Sequence, residues 1–460
     1  MKKFIYYSIF FVSVLILESC SKDLLEPTLD NEITPESIKT SSDIRLVANG
    51  MYKSMRATEY YGRDYIIYDE VRSDNAFSSG RSGRFVTVGA MSMTDNDSYS
   101  GGTFSAIYTP ISNANIVINS DVTGDPTEIK HIKGEAYAVR ALCHFDLLKL
   151  FGQQNITGQG GMESLGVSYI TEYKGANVFP VRNTVSDVKQ KIYADLDAAI
   201  ANMSEDLNDN EGVYMTTYAA HAIKSRVAIY FKDWEIAKTE CEAVMAGNYN
   251  IVSATAYASS FGLSSTSNNR IFELKSTSND SNGIDGLANI YRGNSYGDIN
   301  VLLDLKSKFS TTDVRGKSTM INSVGGKLRN IGKYPSGSPF ADNIKVIRYE
   351  EIVLNYAEAL FRLNPSDSEA LTQLNSIPSN RSAALYTVVN EDNILLERRK
   401  ELCFEGFRFT DLARTGRNIP LVDPIKQTHG GVDFGNFNFA FPIPIKEINS
   451  NTSCIQNKGY

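Results

Sequence analysis

Apolar residues recur at three- and four-residue steps along much of the chain. Ile44, Ala48, Met51 and Met55 form one such stripe, and Ala138, Leu142 and Phe145 form another within residues 134–152. Side chains so spaced share one face of a helix, so both segments are predicted to be amphipathic helices. Thr184 with Asp187 reads as an N-terminal cap for the stripe Val188, Ile192, Leu196 and Ala199. Between about residues 216 and 249, Ile223, Val227 and Tyr230 make one stripe and Trp234, Ala237, Cys241 and Val244 a second, with Lys232-Asp233 as the turn and Gly247 closing the unit. Two helices in about 34 residues is the size of a tetratricopeptide unit. This assigns Trp234, the single tryptophan, to helix packing. Helices are also expected at 348–363, where Ile352, Tyr356, Ala359 and Leu363 are in register, and continuously from about 393 to 414.

The periodicity fails in two places. Residues of about 60–102 and 253–343 are rich in Ser, Asn, Gly and Tyr, as in Ser264-Ser265-Thr266-Ser267-Asn268-Asn269, and are predicted to be loops with short strands. Residues 417–460 are rich in Pro and Phe and look extended. The fold class is therefore mainly α: tetratricopeptide-like helix pairs over about 36–59, 103–250 and 344–416, carrying a loop-rich half with short strands. Irregular, polar, ring-bearing segments on a helical frame are where binding usually sits.

The N-terminus changes the compartment. Lys2 and Lys3 precede an uncharged apolar run over residues 4–17, too short to span a bilayer and suited to a secretory signal covering residues 1–19. Leu17-Glu18-Ser19-Cys20 resembles a lipobox, with Glu18 where a small residue is usual, and Ser21-Lys22-Asp23 follows as a polar leader. Cys20 would then carry the acyl chains that anchor residues 20–460, a single domain, to a membrane. No other segment is long and apolar enough to cross one.

A net charge of −7 and a pI near 5.4 exclude a nucleic-acid surface, which needs clustered Lys and Arg. Cys143, Cys241, Cys403 and Cys454 are widely spaced, with no C-x-x-C and no His at zinc-ligand distance, so no metal or redox motif is indicated. The histidines, His131, His144, His221 and His429, are scattered, and no nucleophile elbow, H-E-x-x-H helix or phosphate-cradling loop occurs. No cofactor is implied and the chain is read as a non-enzyme. Binding fits the composition better: 25 Tyr and 22 Phe supply rings with hydroxyls for wet interfaces, although most such rings are core in a protein of this size.

Glu397-Arg398-Arg399-Lys400-Glu401-Leu402-Cys403-Phe404-Glu405-Gly406-Phe407-Arg408-Phe409-Thr410-Asp411-Leu412-Ala413-Arg414-Thr415-Gly416 resembles the signature helix of the SusD/RagB family of outer-membrane nutrient-binding lipoproteins. So does the ending, Phe441-Pro442-Ile443-Pro444 with Glu447-Ile448-Asn449 and Gln456-Asn457-Lys458-Gly459-Tyr460, as do residues 134–152 and the Tyr356-Ala357-Glu358-Ala359 step. Pro378 departs from the family pattern and should end its helix early. The resemblance implies four tetratricopeptide-like helix pairs and a loop-rich half holding the ligand. It implies lipid anchoring in the outer membrane, facing the exterior, and a SusC-like TonB-dependent transporter as partner, with the helical half toward its barrel.

The signature carboxylates Glu401, Glu405 and Asp411 sit beside arginines, with Glu405, Arg408, Asp411 and Arg414 at successive i,i+3 steps, so pairing along one helix is expected rather than catalysis. The ligand is expected on the two loop regions, at Arg72, Asp74, Asn75, Arg81 and Tyr99 in the first and Tyr291, Arg292, Asn294 and Tyr296 in the second. An oligosaccharide or polysaccharide is the leading ligand class, a peptide or glycopeptide the alternative, and a tetratricopeptide scaffold without small ligand a further one.

Overall fold

The computed structural model describes residues 37–460 except 176–178, 263–264, 266 and 294. Cys20, the signal segment and Asn294 lie outside the described residues. The first stripe becomes α1 (Ser41–Met55), whose N-terminus is closed by a reciprocal cap between Thr40 and Asp43. It buries the four residues of the stripe, Ile44, Ala48, Met51 and Met55, and Tyr52 beside them. The frame continues with α2 (Asp64–Val71), α3 (Ser98–Asn119), α4 (Pro126–Phe151), α5 (Val185–Asn202), α6 (Thr217–Phe231) and α7 (Trp234–Met245). It closes with α8 (Tyr349–Leu363), α9 (Ser368–Ser379), α10 (Glu391–Leu402) and α11 (Arg408–Arg414).

Helices stack in sequence: α3 on α1, α4 on α3, α5 on α4, α6 on α5, α7 on α6, then α8 between α7 and α9. Thr184 caps α5 by accepting from the Asp187 N–H, and Lys232 turns α6 into α7 with φ +64°. Trp234 packs on Ala228, Ile229, Ala237 and Ala359, between paired helices as its spacing requires. Pro378 is the penultimate residue of α9, which stops there. One buried cluster runs from Ile38 to Cys454 and takes in residues of both halves.

Three two-stranded antiparallel ladders serve the other half. β1 (Ala76–Ser78) pairs with β3 (Ile299–Val301), β2 (Arg270–Leu274) with β6 (Ile344–Arg348), and β4 (Ile321–Val324) with β5 (Lys327–Asn330). The β1–β3 ladder brings the two loop regions together, placing Phe77 opposite Asn300.

Three expectations are corrected. Residues 60–102 are not uniformly loop, because α2 is buried on every side and α3 begins at Ser98. The phenols of Tyr60, Tyr61 and Tyr65 converge on the buried carboxylate of Asp146 at 2.6, 2.8 and 2.5 Å, which satisfies polar atoms inside the core. The helix expected over 393–414 is two helices, broken where Phe404 and Gly406 take φ of +68° and +83°. The C-terminal segment is irregular, with a short helix at Ile445–Ser450, and Phe439, Phe441 and Ile443 bury it against the frame.

Candidate functional site

Four of the expected ligand contacts are framework instead. Arg72 is 1% exposed; its Nη2 donates to the carbonyls of Asn438 and Phe439 at 3.0 and 2.9 Å, and its guanidinium lies between the rings of Phe409 and Phe441. Burial pulls its pKa down to about 10, outweighing the opposing pull of the Asp69 charge. Asp74 is held between Arg399 and Arg408, Asn75 bridges Glu70 and Arg399, and the Tyr291 ring is buried in a stack on Tyr334. These polar groups tie the loops to the signature helix and are spent inside the protein.

Of the remaining described residues, Arg81, Tyr99 and Tyr296 gather around β1 and β3. Beyond β1, residues 79–84 are tied to the loop before β3: the Ser79 N–H donates to the Asp298 carbonyl at 2.8 Å, the Ser82 N–H to the Asp298 carboxylate at 2.9 Å, and the Ser82 hydroxyl donates to the same carboxylate. Arg84 then lies flat over the Tyr296 ring, 3.5 Å from its centre, with Nη2 on Asp285 at 3.2 Å. The Tyr296 hydroxyl has no hydrogen-bond partner among the described residues. Arg81 is exposed and unpaired among the described residues. Tyr99 supports this edge from α3: its ring stacks on Phe85 at 4.8 Å and its hydroxyl accepts the Phe85 N–H at 2.9 Å. Arg292 is half-buried and donates to the Ile331 carbonyl at 2.7 Å.

The loop before β3 is held from below. Arg329 on β5 donates to the carbonyls of Tyr291, Gly297 and Ile299 at 3.3, 3.0 and 3.4 Å. Gly293 has φ +89°, and a Cβ there would sit 2.4 Å from the Arg329 guanidinium carbon, so only glycine lets the loop close over this arginine. Beside the edge, and sharing Ser79 with it, a groove of about 420 Å³ opens between Phe77, Asn300, Val301, Leu303, Lys327, Leu328 and Lys426. Its volume is in the range of ligand sites. A second hollow of about 310 Å³ lies along α3, lined by Phe104, Tyr108 and Tyr173 with Glu172, Lys174 and Glu447, outside both loop regions.

The signature helix supplies the scaffold for this face. Five buried cations, Arg315, Lys333, Arg348, Arg381 and Lys400, interleave with five carboxylates, Asp313, Glu350, Glu397, Glu401 and Glu405. Burial alone would raise the Glu401 carboxyl, but Arg381, Arg348 and Arg315 outweigh it and hold it well below the usual range. Arg348 and Lys333 do the same for Glu405, and Arg398 with Arg414 for Asp411. Groups so held stay ionised and inaccessible, which suits structure and not proton transfer. The pairing is mainly between elements, contrary to the expected ladder: Glu405 meets Arg348, Arg408 meets Asp74 and Arg414 meets Glu358, and of the three expected i,i+3 steps from Glu405 to Arg414 the last, Asp411 with Arg414, forms.

Arg84, Asp285, Asp298, Lys327 and Lys426 are the site residues that sequence reasoning passed over. Arg84 stands three residues after Arg81, on the far side of a Ser-Gly turn, and that repeat was its only signal.

The family model described as "Starch-binding associating with outer membrane" matches residues 23–229, and that described as "SusD family" matches 311–460. The chain is 24% identical to SusD-like protein P2 of Formosa agariphila, over 100% of both chains. It is 31% identical to the starch-binding protein SusD of Bacteroides thetaiotaomicron over 136 residues, 29% of this chain and 24% of that one. A crystal structure of a SusD superfamily protein from Bacteroides vulgatus shares the fold with a TM-score of 0.83 at 26% identity, covering 92% of this chain and 100% of that one. Family models at both ends, a full-length relative and a shared helical frame agree, and the chain belongs to the SusD/RagB family.

Proposed function

We propose that the chain is a surface lipoprotein, anchored in the outer membrane through Cys20, that binds a glycan on the face built around β1, β3 and the β4–β5 hairpin. It passes the glycan unaltered to a SusC-like TonB-dependent transporter. The observation that carries this reading is the junction of the two loop regions: a Tyr296 ring braced by Arg84, with its hydroxyl free among the described residues, beside unpaired Arg81 and the 420 Å³ groove. The half-exposed Phe77 ring in the groove offers a face for sugar C–H groups, with the Tyr296 hydroxyl and Arg81 as polar groups at its rim, which is what oligosaccharide binding needs. The starch-binding relative in Bacteroides thetaiotaomicron and the outer-membrane family model support both the ligand class and the location.

Native gels cast with amylopectin, arabinoxylan, polygalacturonate or ι-carrageenan test it. The wild-type chain should be retarded by at least one polymer, Tyr296→Ala should restore mobility, and the recovered polymer should keep its size on gel filtration. Shortened polymer, or retardation untouched by Tyr296→Ala, would contradict the reading.

A further inference from the structure

We infer that the groove beside the Tyr296 edge is built for an anionic saccharide, one bearing uronate carboxylates or sulfate esters. This rests on the glycan reading above and names the ligand class of that same face. The chain as a whole is acidic, at −7, yet the groove runs the other way. Lys327 and Lys426 line it, and no carboxylate does among the described residues. Lys327, at the start of β5, has no ion-pair partner among the described residues. Among the described residues Lys426 pairs with Asp423 alone, at 2.9 Å and with its side chain 44% exposed, a solvated contact that a ligand anion can exchange for its own. Arg81, exposed and unpaired, stands on the adjoining loop, and its charge is felt by buried Arg329, whose pKa is lowered by burial first and by Arg81 next.

The rest of the lining suits a sugar and not a bare ion. The Phe77 ring lies half-exposed, with the Lys426 ammonium 5.7 Å from its centre. Asn300, opposite Phe77, gives its amide N–H to the Asp298 carbonyl and leaves its side-chain carbonyl oxygen without a donor among the described residues. Two acids on the flanking segments are already engaged: Asp298 accepts from the Ser82 N–H and hydroxyl, and Asp304 pairs with Arg399 and Lys308. Lys327 and Arg81, unpaired among the described residues, and Lys426, whose partner Asp423 is solvated, favour acidic saccharides over neutral ones around the Phe77 ring.

The test compares the four gels above, where amylopectin and arabinoxylan are neutral, polygalacturonate carries carboxylates and ι-carrageenan carries sulfate esters. The expected result is stronger retardation by an acidic polymer, weakened by added salt because exposed charges are screened. Lys327→Gln combined with Lys426→Gln should weaken it about fivefold, from two solvent-accessible charge contacts, with the thermal midpoint unchanged. Arg81→Gln is the second variant and should weaken it further. Polygalacturonate and ι-carrageenan separate the two sources of negative charge. Retardation by a neutral polymer alone, or acidic retardation that the lysine variants leave intact, overturns the anionic assignment while the glycan reading stands. Free migration through all four gels overturns both.

Discussion

Glu401→Gln is the substitution that the buried network makes most costly for its size. The side chain keeps its shape and loses its charge, so five buried cations then face four carboxylates. Glu401 Oε2 accepts from Arg381 Nε at 2.9 Å and Arg315 Nη1 at 3.2 Å, while Oε1 accepts from Arg381 Nη2 at 2.9 Å and Arg348 Nη1 at 3.1 Å. An amide keeps one acceptor oxygen, so about two charge-assisted bonds go, at about 1.5–3 kcal/mol each. The total of about 3–6 kcal/mol agrees with the roughly 3–5 kcal/mol lost when one partner of a buried pair is removed. Urea unfolding at pH 7, followed by circular dichroism and by fluorescence of Trp234, measures it. Adding Arg381→Gln should cost less than the sum of the two single changes, because each already breaks the shared pair. A loss below about 1 kcal/mol, as for an exposed pair, would refute the claim that this network acts as a buried, charge-balanced unit.

Three further outcomes are expected. Gly406→Ala should cost about 1–2 kcal/mol, read from the same urea curves, because φ is +83° and the new Cβ would lie 3.3 Å from the Ile66 Cα. Burial raises Glu70 to about 7 and Asp64 to about 6 from ordinary values of 4.5 and 3.8, so the folded state holds extra protons and stability on their account falls as pH rises from about 4 to 7. Glu401 and Glu405, held low, contribute with the opposite sign: their share is complete above about 4.5 and is lost as pH falls below it, so urea midpoints should peak on the acid side of neutrality and Glu70→Gln should flatten the decline toward pH 8. Cys143, Cys241, Cys403 and Cys454 are unpaired and buried, so the folded chain without residues 1–20 should resist Ellman's reagent and release four thiols on denaturation.

The helix pair α6–α7 was legible because its apolar stripe, its Lys232-Asp233 turn and its closing residues are all local. α8 was legible for the same reason, with its start displaced by one residue. What local pattern could not convey was partnership across long separations. α2 carries Asp64, Asp69 and Glu70 among Tyr and Ile, and it reads as loop because the groups that satisfy its polar atoms and those of the preceding tyrosines, such as Asp146 and Thr410, are far off in the chain. The break after α10 was hidden for a similar reason: Gly406 faces Ile66 and the Phe404 carbonyl accepts from Tyr334, contacts that override helical continuity. At the site, Asp74 and Asn75 were expected as ligand contacts because they are polar residues in an irregular segment. Their partners Arg399 and Arg408, more than 320 residues away, make them scaffold. Tyr296 and Arg81 lie at the surface because their loops end at the β1–β3 ladder, a pairing no local signal announces.

The most direct test of the account is a crystal structure of the chain with an oligosaccharide derived from whichever polymer retards it. The account predicts a sugar ring stacked at Tyr296 or Phe77, within reach of Arg81, Lys327 or Lys426, and with every glycosidic bond intact. Electron density for the sugar confined to the helical frame, with the face around β1 and β3 empty, would contradict it.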